Sequence, residues 1–232
     1  MMNRRQFVHA AAAGVVTLTR GSTVLAADYD LVVRGGRVVD PSLRVNAVRD
    51  VAITAGRIAL VEADILVGAA DVIDAVGKLV VPGLLDVHTH YARDEAGPSL
   101  GLAGGVTGWI DAGSAGADQI DQMAAIARTA PQPGHLLINI GRAGILPDGD
   151  TMDLSLADVD AAKRAIMRHP DVVVGVKARL TRGVAADDVE VLRRAQEVAS
   201  SFDLPLMIHM GQTVSPLSSL LPQLKSGDIV TH

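Results

Sequence analysis

The chain has 232 residues, which is enough for one or two domains with a sizeable core. Hydrophobic residues make up 49% of the chain, charged residues make up 20%, and the net charge is −5, which excludes a disordered or collagen-like chain and provides no basic field for nucleic acid. The chain has 0 cysteines, so disulfides, thiolate zinc clusters and a cysteine nucleophile are excluded, and any metal ion needs histidine, carboxylate or a less usual ligand.

The first 27 residues have the organisation of an export signal. The charged segment Asn3-Arg4-Arg5-Gln6-Phe7-Val8 precedes an apolar run at residues 10–18 and the small-residue segment Val24-Leu25-Ala26-Ala27. The run is too short to cross a bilayer, and the paired arginines resemble a twin-arginine signal. We predict an exported, periplasmic protein without a stable membrane anchor; an ordinary Sec leader or an amphipathic N-terminal helix is the alternative.

Residues 28–80 predict a small antiparallel β module. Short runs rich in valine and isoleucine lie on both sides of Gly35-Gly36, at residues 31–34 and 37–40, where Pro41 ends the second run. The same plan recurs around Ala55-Gly56, with strands predicted at residues 50–54 and 57–61. The sequence therefore predicts two hairpins in this module.

After Pro82-Gly83 the pattern changes to apolar strands alternating with periodic helices, over residues 81–232. Such alternation is typical of a buried parallel sheet, as in a (β/α)₈ barrel or an open doubly wound sheet. The first of its strands has no glycine-rich phosphate loop after it, which disfavours a dinucleotide-binding sheet. Only six strands are predicted, so we expect an incomplete barrel. The predicted strands are residues 84–88, 108–111, 136–140, 172–177, 206–209 and 229–232; the predicted helices are residues 118–129, 156–169, 187–202 and 216–224.

Histidines stand at the ends of three predicted strands. His88 and His90 form a His-Thr-His sequence, and side chains two apart on a strand point to one face, so both imidazoles can reach one ion. His209 and His232 each end a later strand. In a barrel the carboxyl ends of the strands meet at one mouth, where catalytic groups lie. The remaining histidines are not expected to be ligands; they are His9, His135 and His169.

Lys177 ends the apolar strand Val172-Val173-Val174-Gly175-Val176. Burial there would disfavour the charged amine and lower its pKa. A neutral amine can react with carbon dioxide to give a carbamate, an oxygen ligand able to bridge two cations. The structural alternative is a lysine that extends toward solvent or pairs with Asp111. Asp111, also at a strand end, could instead orient a ligand.

Taken together, these segments resemble the amidohydrolase superfamily, and within it the dihydroorotase-like amidohydrolase/deacetylase branch. The resemblance covers essentially the whole chain after the export signal. The matching segments are Val81-Pro82-Gly83-Leu84-Leu85-Asp86-Val87-His88-Thr89-His90, Gly105-Val106-Thr107, Asp111-Ala112-Gly113-Ser114-Ala115-Gly116, Val174-Gly175-Val176-Lys177-Ala178-Arg179, Leu204-Pro205-Leu206-Met207-Ile208-His209 and Gly227-Asp228-Ile229-Val230-Thr231-His232.

The resemblance implies a (β/α)₈ barrel with a small β-sandwich built from both chain ends, of which residues 28–80 are half. It implies that His88 and His90 bind the more buried metal, that carboxylated Lys177 bridges two metals, usually zinc, and that His209 and His232 bind the second. The chemistry implied is hydrolysis of an amide, cyclic amide or ester by a metal-activated water. The family's catalytic aspartate on the last strand has no match in this chain.

Two functions remain open at this point. One is a hydrolase acting on carbon–nitrogen bonds other than peptide bonds; the other is a truncated, non-catalytic metal-binding remnant or partner subunit. Because pyrimidine synthesis is cytoplasmic and the chain carries an export signal, deacetylation fits better than dihydroorotase activity. Arg179, two residues after Lys177, is a candidate to bind an anionic group, so the substrate is expected to be a small molecule bearing a carboxylate. Self-association is left open.

Overall fold

The computed structural model describes residues 28–66 and 68–232, so the predicted export signal lies outside the described residues. The chain forms two compact units that divide between Pro82 and Gly83. No helix within the described ranges combines the length and hydropathy needed to span a bilayer.

The first unit is built on one five-stranded sheet of order β3-β2-β1-β4, with β5 also paired to β1. β2 is antiparallel to β1 and to β3, whereas β4 and β5 run parallel to β1. The predicted antiparallel pairing holds for β1, β2 and β3, whereas β4 and β5 make the module mixed. β2 occupies one edge of β1, and the returning chain reaches the other edge in the parallel direction. The strands are β1 (Tyr29–Asp40), β2 (Val45–Thr54), β3 (Arg57–Glu62), β4 (Ala69–Asp74) and β5 (Leu79–Val80).

The predicted hairpin at Gly35-Gly36 is replaced by an irregularity inside the continuous strand β1. The register with β2 shifts between Val33 and Gly36, and Gly35 has φ of 70°. The Gly35 N–H donates to a carboxylate oxygen of buried Asp50 at 2.8 Å, so the amide that leaves the strand ladder keeps a partner. The hairpin predicted at Ala55-Gly56 is confirmed, since Thr54 pairs with Arg57 across it.

The second unit contains a six-stranded sheet whose strands lie in chain order, all parallel. This order confirms a partial (β/α) barrel and excludes the doubly wound alternative, in which the strand order reverses at a switch point. The strands are β6 (Leu84–Thr89), β7 (Val106–Ala112), β8 (Gly134–Asn139), β9 (Val173–Leu180), β10 (Leu206–Met210) and β11 (Ile229–Thr231).

Helices separate these strands. Asp158 and Asp187 stand before α3 and α4, and each carboxylate accepts from backbone N–H groups of the first turn. The last helix is shorter than predicted, because Pro222 has no N–H to continue it and a 3₁₀ turn follows at Leu221–Gln223. α1 was not predicted. The helices are α1 (Gly97–Ala103), α2 (Ile120–Thr129), α3 (Val159–Arg168), α4 (Asp188–Ser201) and α5 (Leu217–Leu220).

Apolar side chains cover both faces of the parallel sheet. Leu136 and Ile138 of β8 belong to the large cluster formed with the helices, whereas Leu137 packs with Ala112 and Met207 in a separate small cluster. This alternation follows from the two-residue period of a strand. Met207 pairs with Lys177 in the register of β10 and β9, so a lysine stands beside this small cluster.

Candidate active site

The candidate ligands lie around one cavity of the second unit, with a volume of about 450 Å³. His88 is on β6, His90 follows that strand, Lys177 is on β9, and His209 and His232 are at the ends of β10 and β11. The structure thus brings together the whole residue set singled out from the sequence. The cavity is lined by His88, His90, Arg93, Ala112, Ile145, Lys177, Arg179, His209 and His232.

The four imidazoles form a chain of neighbours across the cavity. Ring centroids are 5.7 Å apart for His88 and His90, 4.9 Å for His88 and His232, and 4.4 Å for His209 and His232. His209 Nδ1 and His232 Nε2 are 3.0 Å apart and share a hydrogen bond. Within residues 28–66 and 68–232, no three histidine, aspartate or glutamate side chains are arranged to hold a metal ion. The rings lie close together, but they hydrogen-bond to one another and to nearby hydroxyls.

Partial burial lowers the pKa of three of these imidazoles. Desolvation, followed by the charges of Lys177 and His232, lowers the pKa of His88 to about 4. Desolvation, followed by His232 and Lys177, lowers the pKa of His209 to about 4 as well. The pKa of His90 is also lowered, first by burial and then by Arg93. Neutral imidazole is the form that binds metals, so these three rings do not have to lose a proton near neutral pH.

Lys177 is 1% exposed, and its amine lies 3.2 Å from the sulfur of Met207. Burial is the main cause that lowers its pKa to about 8, with a further lowering by Arg179 and opposing effects of Asp111 and Asp150. The alternative in which Lys177 pairs with Asp111 is not realised among the ion pairs of the described residues. Lys177 therefore has an appreciable neutral fraction close to physiological pH.

Asp111 holds the turn that follows it and is linked to His90 through Ser114. Its carboxylate accepts from the backbone N–H of Ser114 at 2.8 Å, from the Ser114 hydroxyl at 2.9 Å and from the N–H of Ala92 at 3.2 Å. The Ser114 oxygen is in turn 2.7 Å from His90 Nδ1. Sequence reasoning did not single out Ser114, because the residue meets His90 only through the pairing of β6 with β7.

Arg179 is fixed at the cavity wall by a buried carboxylate. Its guanidinium donates to Asp150 at 3.0 Å, and Asp150 is 1% exposed. The second oxygen of Asp150 accepts from Asn139 at 3.0 Å, and the first also accepts from the N–H of Leu146. Asp150 was missed from the sequence because it lies in the loop after β8, where nothing marks it as functional.

The histidines not expected to be ligands lie elsewhere where they are described. His169 Nε2 donates to Asp121 at 2.7 Å, and His169 Nδ1 accepts from Arg128 at 3.1 Å. His135 does not line the cavity. His9 lies outside the described residues. His88 has a hydroxyl neighbour as well, since its Nδ1 is 2.9 Å from the oxygen of Thr231.

Known proteins resemble the chain over most of its length, although no family model matches it. A deacetylase of Enterococcus faecalis is 33% identical over 213 residues, which cover 88% of this chain and 56% of the relative. A dihydroorotase of Syntrophotalea carbinolica is 34% identical over 189 residues, covering 77% of this chain and 42% of the relative. The chain thus spans about half the length of the curated relatives it matches.

A solved structure gives the same assignment. The crystal structure of an adenine deaminase superposes with a TM-score of 0.74 and 32% sequence identity, covering 88% of this chain and 56% of that one. With its partial parallel barrel and with deacetylases and dihydroorotases as relatives, the chain belongs to the amidohydrolase superfamily.

Proposed function

We propose that the chain carries the metal site of a hydrolase that cleaves an amide, cyclic amide or ester bond in a small molecule. The observation that carries this proposal is the convergence of four histidines and one buried lysine on a single cavity. The relatives support it, since they are named deacetylase and dihydroorotase.

The donor set fits a pair of divalent ions, zinc being the ion that suits imidazole and oxygen ligands. His88 and His90 would hold one ion, and His209 and His232 would hold the other after giving up the hydrogen bond between them. Lys177 would supply the bridge as a carbamate: its neutral nitrogen bonds to the carbon of carbon dioxide, and one proton leaves the amine. Bound there, the ions would acidify the attacking water and polarise the scissile carbonyl.

The test is metal content and hydrolysis in Lys177→Ala, with Lys163→Ala as the matched control. Lys163 is on α3, where it pairs with Glu197 at the surface. We expect the wild type to bind two ions and to show a lysine carbamate signal by ¹³C NMR after labelled bicarbonate is supplied. Lys177→Ala should lose the second ion and the carbamate signal, and a short carboxylate such as propionate should restore the second ion.

Two results would revise the proposal. Full metal content and turnover in Lys177→Ala would overturn the carbamate bridge. Two bound ions in the wild type, with no hydrolysis of acetylated amino acids, acetyl esters or cyclic amides, would favour the alternative of a non-catalytic metal-binding remnant or partner subunit.

The proposed substrate bears a carboxylate, as in an N-acetyl amino acid. Arg93 and Arg179 both line the cavity, and Asp150 holds Arg179 from outside the lining. Export by the signal at residues 1–27 is part of this proposal, because it favours a deacetylase over an enzyme of cytoplasmic pyrimidine synthesis.

Arg179→Met should raise KM for an N-acetyl amino acid by about tenfold or more and leave KM for its amide unchanged; exposed Arg182→Met is the control. Equal effects on acid and amide would contradict the role of Arg179.

A further inference from the structure

At the end of β7 a buried carboxylate and a buried hydroxyl lead to the imidazole of His90. Asp111 is 1% exposed and Ser114 is 3% exposed. The Ser114 oxygen stands between the two others, 2.9 Å from Asp111 Oδ2 and 2.7 Å from His90 Nδ1. The Ser114 N–H also donates to Asp111 Oδ1 at 2.8 Å, so the backbone of Ser114 is held by the same carboxylate.

The number of hydrogens decides the direction of each bond. A serine hydroxyl has one hydrogen. Although burial raises the pKa of Asp111, each of its two oxygens accepts from a backbone N–H, that of Ser114 or that of Ala92, which favours the ionised carboxylate. An ionised carboxylate can only accept. Once that hydrogen is donated to Asp111, the Ser114 oxygen can only accept from His90. A neutral imidazole has one N–H, so Nδ1 must carry it and Nε2 must keep its lone pair.

We propose that Asp111 and Ser114 are positioning residues that fix His90 as the Nδ1–H tautomer and leave its Nε2 as the ligand atom. The function of this arrangement rests on the proposed metal site, since fixing the tautomer of a ligand histidine raises its ligating strength. The tautomer itself is a property of the metal-free chain and can be tested without activity.

His88 provides an internal comparison. Its Nδ1 also faces a hydroxyl, that of Thr231 at 2.9 Å, but the other contact of that hydroxyl is His232 Nδ1 at 3.4 Å rather than a carboxylate. Thr231 can therefore donate or accept, and the same count does not fix the tautomer of His88. Of these two histidines, His90 alone is expected to be held in one form.

The experiment is long-range ¹H–¹⁵N NMR on the metal-free, ¹⁵N-histidine-labelled chain near neutral pH. In the wild type we expect His90 Nδ1 to show the shift of a protonated nitrogen and Nε2 that of an unprotonated one. Ser114→Ala should move both shifts of His90 toward a mixture of tautomers, while Ser114→Thr, which keeps the hydroxyl, should restore them. His90→Gln assigns the signals, and Thr231→Val should change His88 and leave His90 as it is.

Metal affinity provides the second measurement. Ser114→Ala should weaken binding of the first zinc ion by about 10–100-fold, and Ser114→Thr should recover most of it. An Nε2–H tautomer in the wild type would overturn the proposal, because it would mean that neutral Asp111 donates to Ser114 and Ser114 to His90. Unchanged His90 shifts in a folded Ser114→Ala would overturn it too. If Ser114→Ala does not fold, the wild-type spectrum alone decides. A chain without hydrolase activity in which His90 is the Nδ1–H tautomer would count against the proposed hydrolase only.

Discussion

Gly113 stands directly after β7 and allows the backbone there to pass close to Lys177. Its φ is 81°, in the left-handed region that favours glycine, and a Cβ on this residue would overlap the Cβ and Cγ of Lys177. Gly113→Ala therefore adds backbone strain to a clash with a buried side chain. We expect the free energy of unfolding to fall by about 2–4 kcal/mol, as measured by urea denaturation.

Gly183→Ala separates the two causes. Gly183 has φ of 76°, and apart from its own atoms and its two chain neighbours no described heavy atom lies within 4 Å of the position its Cβ would take. In this variant the free energy of unfolding should fall only by the cost of the left-handed backbone, about 1 kcal/mol. Equal losses at both positions would show that contact with Lys177 contributes nothing.

The positions of the candidate ligands could be predicted because each follows from a local pattern. A histidine or lysine at the end of an apolar strand must lie at the carboxyl edge of a parallel sheet, whatever the details of packing. Ser114 and Asp150 could not be predicted, since their partners, His90 and Arg179, are distant in sequence. Such contacts depend on the path of the loops between strands.

At the scale of elements, α4 carries a cluster of charges on one face. Glu190 accepts from Arg193 at 2.8 Å and from Arg194 at 2.7 Å, and Arg194 also donates to the carbonyl of Leu154 at 2.6 Å. These hydrogen bonds, that of Arg193 first, lower the pKa of Glu190 from 4.5 to about 2. The cluster therefore joins a helix to the loop before α3 through an ionised glutamate.

This shift in pKa predicts how stability changes with pH. Because the pKa of Glu190 is lower in the folded chain than its ordinary 4.5, its contribution is present above about pH 4.5 and is lost as pH falls toward 2. The melting temperature of the wild type should fall more steeply between pH 5 and 2 than that of Glu190→Gln, by circular dichroism. Glu95→Gln is the control, since exposed Glu95 makes no ion pair with any other described residue; a slope for Glu190→Gln equal to that of the wild type would contradict the prediction.

Elements with a strong period were predicted well, and elements set by long-range pairing were not. The six parallel strands appear where apolar runs indicated them, since continuous apolar runs are typical of the strands of a parallel sheet. At Gly35-Gly36 the glycines suggested a turn, but β2 pairs with both halves of β1 and keeps the strand continuous. α1 has glycine at two of its seven positions, Gly97 and Gly101, so its sequence carries a weak helical signal.

At the scale of the whole molecule, the strands of the parallel sheet differ in how their apolar surface is covered. In the second unit the central strands are covered on both sides, with Ile138 and Val176 fully buried. The outer strands are not: Leu85 of β6 is 63% exposed and Val230 of β11 is 47% exposed. Backbone hydrogen bonding also decreases from the centre of the sheet to its edges, since each outer strand has one strand partner within the described chain and each inner strand has two.

This gradient predicts the order in which the sheet exchanges its amide hydrogens. β9 pairs with β8 and β10 and is buried along most of its length, so its amides should exchange only in large-scale opening. β11 contacts β10 over three residues, and opening it breaks few contacts. Hydrogen–deuterium exchange should therefore be more than about tenfold slower in β9 than in β11. Equal protection of the two strands would mean that β11 is held by contacts beyond its pairing with β10, since a lone edge strand of this length cannot reach the stability of the centre.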